Sequence, residues 1–306
     1  MSIVLARRPP IWLGGLAACL AGCTARTIPG DTGASLELGP NLIARADFGD
    51  GTEDSGFRQE CAFPYSCTLA DLGGRTVMAF EVHAEDYDHG DRSTKSAELK
   101  TFLLTGYDAY QQTREFWAGF RFLVPEGGIA AGDLVILAQQ HGERDRSLGE
   151  RGRNPVSGLA VRDGVLAYSY RGDSRALSLP PGEAEGGFDP RCTTPTSTYT
   201  DCGGAELMTL ESGQWYRVVL HEVHDYTGGG SIAVDVAEED ATGATLRTSH
   251  FARDGVGVSF NDLVGPYWKF GLYKAEAPPT QEVSRVYFDE VRVGVGPGRS
   301  LDYEPL

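Results

Sequence analysis

Short stretches in which apolar and polar residues alternate recur along most of the chain. Alternation of this kind places apolar side chains on one face of a β-strand and polar side chains on the other. Most stretches end at Gly, Pro, Asp or Asn, which favour turns. The pattern predicts ten strands: Thr76–His83, Ala97–Leu104, Glu115–Val124, Leu134–His141, Gly158–Val161, Val165–Tyr170, Trp215–His224, Ser231–Ala237, Tyr267–Ala275 and Val286–Val293. Because no window predicts an amphipathic helix, we expect an all-β sandwich or barrel of antiparallel sheets.

The composition fits a folded domain of this kind. Hydrophobic residues make up 41% of the 306 residues, and 40 glycines suit many strands joined by tight turns. No repeat of fixed period and no boundary appears after residue 42, so residues 42–306 are expected to form a single domain.

The first 22 residues have the features of a secretion signal. Arg7 and Arg8 precede a short apolar stretch, Ile11–Leu20, which is too short to span a bilayer comfortably. The sequence Leu-Ala-Gly-Cys ending at Cys23 resembles the lipobox of bacterial lipoproteins, which implies cleavage before Cys23 and acylation of that residue. The alternative is an ordinary signal with an incidental cysteine. The residue after Cys23 is Thr24 rather than Asp, and the resemblance then implies the outer membrane, with residues 23–41 as a flexible tether.

Four cysteines remain beyond the signal and the lipobox. Their local spacing in an exported protein predicts two disulfides, Cys61–Cys67 and Cys192–Cys202. A metal site is the alternative, but neither pair has the CxxC spacing typical of zinc. The formal net charge is −16, and removing the signal removes two arginines and no acid, so nucleic acid and anionic lipid are disfavoured as partners.

The densest group of aromatic and charged residues lies in the predicted strand that begins at Tyr267. Its sequence is Tyr-Trp-Lys-Phe-Gly-Leu-Tyr-Lys over 267–274. Strand alternation places Trp268 and two further apolar residues toward the core. The opposite face then presents Tyr267, Lys269 and Tyr273, with a gap at Gly271.

Two further segments carry polar side chains suited to chemistry. Gln139 and His141 share a face at the end of a predicted strand, and a loop with four arginines follows, of which Arg144 is the first. A basic cluster in an acidic protein favours an anionic ligand, although a solvated loop is the alternative. The segment 91–99 leads into another strand and contains Arg92, Lys95 and Glu98.

Together these three segments resemble the polysaccharide lyases of the concanavalin-like jelly-roll type, which include heparin lyase I, glucuronan lyases and many alginate lyases. The alginate-lyase branch has Arg-x-Glu, Gln-x-His and Tyr-x-Lys-x-Gly-x-Tyr strands in that chain order. The last two are intact here, whereas Ser96 stands two residues before Glu98 where Arg is expected, so either Arg92 or Lys95 would supply the cation. The resemblance covers most of 48–294 and implies a β-sandwich jelly roll of two antiparallel sheets.

The resemblance also implies a reaction, the β-elimination of a uronate polymer. Gln139, with Arg92 or Lys95, would neutralise the C5 carboxylate, and Glu98, Lys269 and Arg144 would help to bind the substrate. His141 would act as base or as a partner in neutralisation. Tyr273 would be the acid or the acid-base, with its phenolate stabilised by Lys269, and Tyr267 is the substitute for either role.

Other functions on the same fold are alternatives. A lectin-like carbohydrate-binding lipoprotein would use the aromatic residues as stacking platforms. A glycoside hydrolase needs a pair of carboxylates that no Glu-x-Asp-x-Glu strand supplies, and a structural surface protein would have lost its active site. No cofactor and no metal are required. An acidic loop at 47–54 gives only weak grounds for a structural calcium ion, because its spacing departs from that of an EF-hand. We expect a monomer that meets the membrane only through its lipid.

Overall fold

The computed structural model describes residues 42–49, 56–85, 96–101, 114–150, 154–176, 192, 199–263, 265–274 and 281–297. The described residues form fifteen strands and no α-helix, apart from a 3-10 turn at Arg146–Leu148. The strands are β1 (Leu42–Ala46), β2 (Phe57–Cys61), β3 (Cys67–Asp71), β4 (Thr76–His83), β5 (Ser96–Thr101), β6 (Glu115–Leu123), β7 (Leu134–His141), β8 (Ser157–Arg162), β9 (Val165–Asp173), β10 (Asp201–Thr209), β11 (Trp215–Val223), β12 (Asp225–Glu239), β13 (Thr245–Phe260), β14 (Tyr267–Lys274) and β15 (Val283–Val295). No helix in this part of the chain is long and apolar enough to cross a membrane.

The strands form two layers. The front sheet has the order β2-β5-β14-β7-β8-β9-β10, and the back sheet has the order β3-β4-β15-β6-β11-β12-β13, with β1 also paired to β15. All pairs are antiparallel except at the end of β13, where Ser259 and Phe260 run parallel to β9 and connect the two layers. The predicted β-sandwich jelly roll is therefore confirmed.

The core lies between the two sheets. Phe270 of the front sheet contacts Phe80 and Phe288 of the back sheet, with ring centroids 5.7 and 5.2 Å apart. Trp268 similarly lies 5.8 Å from Phe120. These side chains come from the apolar face of each alternating strand, so the period-two pattern of the sequence is what produces the core.

Both predicted disulfides are present. Cys61–Cys67 joins the end of β2 to the start of β3 and so connects the edges of the front and back sheets. Cys192–Cys202 closes a short loop that leads into β10. The signal, Cys23 and the tether lie outside the described residues.

Each of the ten predicted strands is present in the structure. The other five strands, β1, β2, β3, β10 and β13, were not predicted. β2 and β3 are five-residue strands at sheet edges with little burial, so they lack a clear apolar face. β13 is exposed over most of its sixteen residues. Strands of this kind are fixed by pairing with a neighbour, which alternation along one segment does not reveal.

Candidate active site

The predicted catalytic residues on β7 reach the outer face of the front sheet because this strand contains a bulge. Leu134 and Ile136 lie on the outer face of the front sheet, and strict alternation would therefore point Gln139 into the core. Between Ile136 and Ala138 the pairing with β8 gains one residue on β7. The extra residue reverses the phase, and Gln139 and His141 emerge on the outer face.

Gly271 allows β14 to lie close to β5. Its φ of +136° favours glycine, and a Cβ atom there would lie 2.2 Å from the carbonyl oxygen of Ala97. The pairing of β14 with β7 also gains one residue on β14 in this region. A glycine at the gap in the Tyr-x-Lys-x-Gly-x-Tyr pattern is thus a steric requirement of the sheet.

The register of β14 against β7 brings the two predicted signatures together. Tyr267 lies opposite His141, with ring centroids 5.4 Å apart, and Lys269 lies opposite Gln139. The ring of His141 also has its Nδ1 2.9 Å from the carbonyl oxygen of Gly142. Four of the predicted site residues are therefore neighbours on one face of two adjacent strands.

Two glutamates hold the polar groups of this face. Glu98 of β5 accepts a 2.6 Å hydrogen bond from Gln139 Nε2 and lies 3.5 Å from Lys269 Nζ. Glu60 of β2 accepts a hydrogen bond from Lys269 at 2.5 Å and pairs through its other oxygen with Lys100. We call Glu60, Glu98, Lys100, Lys269 and Gln139 the outer cluster.

The electrostatics of the outer cluster follow from its burial. Burial raises the pKa of Glu98 above its usual range, although Lys269 and the Gln139 amide oppose the change. Burial alone would raise the pKa of Glu60 as well, but the ammonium groups of Lys269 and Lys100 hold it below its usual value. Burial would lower the pKa of Lys269, yet Glu98 and the other anionic neighbours raise it. Lys269 is therefore a fixed positive charge at neutral pH.

Tyr267 is the tyrosine that the ammonium of Lys269 approaches. The Nζ atoms of Lys269 and Lys100 lie 5.6 and 5.4 Å from the centre of its ring. Burial nevertheless raises the pKa of Tyr267 to about 12, with Lys269 opposing this change. Tyr267 thus keeps its proton at neutral pH, which suits a hydrogen-bond or proton donor. Lys269 thus lies beside Tyr267, and its expected support of the Tyr273 phenolate stays a prediction.

Tyr273 lies further along β14 on the same outer face. It packs against the apolar cluster of Leu134, Ile136 and Ala160 and is partly buried. On the neighbouring strand β5, the residue that pairs with Tyr273 is Ser96. The residue that replaces the expected Arg is therefore directly beside the predicted acid.

A second polar cluster lies beneath the site, between the sheets. Gln140 Nε2 donates a 2.9 Å hydrogen bond to Glu222, which also accepts one of 2.6 Å from the Tyr168 hydroxyl. His224 Nε2 lies 2.7 Å from the same carboxylate. We call Gln140, Glu222, His224 and Tyr168 the inner cluster, and all four side chains are almost fully buried. The cluster connects the end of β7 to the back sheet.

A family model described as polysaccharide lyase matches residues 68–292. The chain belongs to the polysaccharide lyase family. The match runs from β3 to β15 and includes every strand that carries the outer cluster except β2. It bears out the resemblance and the enzyme class that the sequence predicts.

Several solved lyases are structurally similar to this polysaccharide lyase. The endo-β-1,4-glucuronan lyase of the fungus Trichoderma reesei is 17% identical, with a TM-score of 0.52 over 79% of this chain and 91% of that one. The marine alginate lyase of Aplysia kurodai is 11% identical, with a TM-score of 0.46 over 76% and 87%. The alginate lyase of Klebsiella pneumoniae is 11% identical, with a TM-score of 0.46 over 76% and 85%. No curated protein sequence matches the chain.

The remaining predicted site residues of the lyase lie in the loop after β7 or outside the described residues. Arg144 lies exposed in the loop that follows His141. Arg92 and Lys95, the two alternatives for the missing Arg, lie outside the described residues. Sequence reasoning missed Lys100 and Glu60. Lys100 could have been found, because it follows Glu98 by two residues and shares its face, whereas Glu60 belongs to the unpredicted strand β2.

One group of described residues has the donors that a cation would need. Carboxylate oxygens of Asp145, Glu150 and Asp262 lie within 4.8 Å of one another. Asp145 accepts an N–H bond from Leu263 at 3.2 Å, and Glu150 accepts one of 2.8 Å from Asp145. These hydrogen bonds hold the loop after β7 against the loop before β14. The carboxylate group therefore links two loops beside the site. Of the acidic residues in the loop at 47–54, Asp47 is the one that is described, and its carboxylate lies 3.7 Å from the guanidinium of Arg45.

Proposed function

We propose that this polysaccharide lyase cleaves a uronate polymer by β-elimination on the outer face of the front sheet. The observation that carries the proposal is the register of β14 against β7, which sets Tyr267 opposite His141 and Lys269 opposite Gln139. An amide, an imidazole, an ammonium and phenols on one face are the groups that this reaction needs.

The elimination breaks two bonds and forms one double bond. A base removes the proton from C5, and the charge that develops spreads into the C5 carboxylate. The C4–O4 bond then breaks as the double bond forms between C4 and C5, and an acid protonates the departing O4. Stabilising the carboxylate charge and supplying the proton are therefore the two tasks of the protein.

Gln139 is suited to the first task. Its Nε2 carries two hydrogens, of which one is donated to Glu98, so a second can be donated to a carboxylate. Glu98 fixes the orientation of this amide before substrate arrives. A cation from Arg92 or Lys95 would complete the neutralisation, as the family resemblance implies.

The proton-transfer roles are divided among three residues. His141 is the base or a partner in neutralisation, and Tyr273 is the acid or the acid-base. Tyr267 keeps its proton, because its pKa is raised to about 12, and this supports a role in hydrogen bonding to substrate or in donating a proton.

The test is ultraviolet absorbance of the conjugated unsaturated product during incubation with a panel of uronate polymers. The protein would lack residues 1–22, and glucuronan and alginate would be compared with a neutral glucan. We expect absorbance to rise on at least one uronate polymer and to be lost in Tyr273→Phe and His141→Ala. Tyr287→Phe and His250→Ala are matched controls, because both residues lie on the back sheet.

Two outcomes would contradict the proposal. A rise that survives in both Tyr273→Phe and His141→Ala would exclude these residues from proton transfer. Failure to cleave any uronate polymer, together with retained binding of sugar, would favour the lectin-like alternative.

We further propose that the chain is exported and held at the outer membrane by a lipid on Cys23, and that it acts as a monomer. The support is the lipobox resemblance and the two disulfides, which suit an oxidising compartment. Cys23→Ser should release the protein from the membrane fraction, and unchanged fractionation would contradict the anchor.

A further inference from the structure

The outer face of the front sheet continues beyond Lys269 onto two more strands. Lys269 of β14 pairs with Lys100 of β5, which in turn pairs with Arg58 of β2. Three cations thus lie side by side, one per strand, in a row that meets Gln139 at its other end. We call Arg58, Lys100 and Lys269 the cation row.

The three cations differ in how far their charge is already neutralised. Glu60 pairs with both lysines, and Glu98 also lies near Lys269. Arg58 is exposed and has no ion pair with any acidic side chain in the described part of the chain. In a protein with a formal charge of −16, such a guanidinium beside the site is a local attraction for a polyanion.

Arg58 is also held in place. Its neighbour Phe57 packs into the core against Phe270, with ring centroids 5.2 Å apart. The disulfide Cys61–Cys67 fixes the other end of β2 to the back sheet. A cation on a rigid strand loses less freedom on binding than one on a loop.

The spacing of the row suits a polymer that lies across the strands. Adjacent strands are about 4.8 Å apart, which is close to the length that one pyranose ring adds to a 1,4-linked chain. A polymer with its reacting unit at Gln139 and Lys269 would therefore carry further uronate units over β5 and β2. A guanidinium binds a carboxylate through two parallel hydrogen bonds, which an ammonium does not provide.

We propose that Arg58 binds a carboxylate of the polymer two strands beyond Lys269, forming a subsite at the edge of the front sheet. The inference rests on the proposed function for the identity of its ligand. It also gives the direction of the bound chain, which runs across β14, β5 and β2.

The test compares Arg58→Ala with the wild type on uronate substrates of increasing length. We expect KM for the polymer to rise about three- to tenfold, with kcat unchanged. The rise should disappear for the shortest oligosaccharide that is still cleaved, because it does not reach β2. Arg58→Lys should recover part of the loss, and Arg285→Ala, which removes a partly exposed arginine on the back sheet, should have no effect.

The result that overturns the inference is a KM that does not change with Arg58→Ala, or that rises equally for long and short substrates. If the wild type cleaves no uronate polymer, binding of a long uronate oligosaccharide by calorimetry separates the two proposals. Weaker binding by Arg58→Ala would then support the subsite while the lyase chemistry fails. Equal binding, or none by the wild type, would overturn the subsite too.

Discussion

Gln139 and Gln140 are adjacent in the chain, and each donates a hydrogen bond to a buried glutamate. Their side chains nevertheless lie in different environments. Gln139 faces outward and binds Glu98, whereas Gln140 faces the core and binds Glu222. Burial raises the pKa of Glu98 above its usual value. Burial would do the same to Glu222, but hydrogen bonds from His224 and Tyr168 lower its pKa instead.

The difference lies in how completely each carboxylate is satisfied. The carboxylate of Glu222 accepts hydrogen bonds from Gln140, His224 and Tyr168, each no longer than 2.9 Å. On the outer face, Lys269 lies 3.5 Å from Glu98, and Gln139 Oε1 has no hydrogen-bond partner among the described residues. A saturated cluster stabilises a fold, whereas one with unmet polar capacity is suited to receive a ligand. Adjacent residues of one type therefore divide into a structural and a functional role.

The largest effect is expected from removing the centre of the inner cluster. Glu222→Ala leaves three buried polar partners without their acceptor and should lower the free energy of unfolding by about 3–5 kcal/mol at neutral pH. Because the folded pKa of Glu222 is lowered, its contribution is present above the unfolded value of 4.5 and is lost as pH falls through the folded value. Urea unfolding at several pH values should show that the difference in free energy of unfolding between the variant and the wild type becomes smaller at acidic pH.

Glu98→Gln probes the corresponding carboxylate on the outer face, and Glu222→Gln is its matched counterpart in the inner cluster. The pKa of Glu98 is raised, so its ionised form is disfavoured in the folded protein, and a neutral isostere should cost less than about 1 kcal/mol at neutral pH. Equal losses for Glu222→Gln and Glu98→Gln would break the distinction between the two clusters.

Gln139→Ala should affect activity far more than stability. Removing one donor that stabilises the developing charge costs about 10²- to 10³-fold in kcat. The free energy of unfolding should fall by only about 1 kcal/mol, since one hydrogen bond to Glu98 is lost. Product absorbance and urea unfolding measure the two effects separately, and activity within threefold of the wild type would exclude Gln139 from the chemistry.

Gln140→Ala should show the opposite balance. It removes a donor from Glu222 in the core, so the free energy of unfolding should fall by about 1–3 kcal/mol. Activity per folded molecule should fall less than tenfold, because Gln140 contacts no outer-face group among the described residues. A loss of activity as large as that of Gln139→Ala would mean that the inner cluster positions the catalytic strand and does not only stabilise it.

The faces of β14 were predicted from strand alternation, and the motifs on β7 and β14 were matched to those of a known family, since both depend on residues two apart in one strand. The bulges were not predicted, although the bulge after Ile136 is what brings Gln139 to the same face as Ile136. Arg58 and Glu60 were missed because β2 is a short edge strand. The inner cluster joins Gln140 to Glu222 across 82 positions, a pairing that only the packing of two sheets determines.

The smallest effect is expected from Tyr267→Phe, and it separates the two tyrosines of β14. The phenol of Tyr267 has a pKa of about 12 and stays protonated throughout the assay range. Its loss should therefore lower kcat less than about tenfold and leave the alkaline limb of the pH–rate profile unchanged, whereas Tyr273→Phe should lose at least about 10²-fold. Both variants keep the ring and so preserve the packing of Tyr267 against His141 and of Tyr273 against Ile136. If Tyr267→Phe instead showed the larger loss, Tyr267 would be the acid, and the chemistry would be centred on the outer cluster beside Gln139 and Lys269.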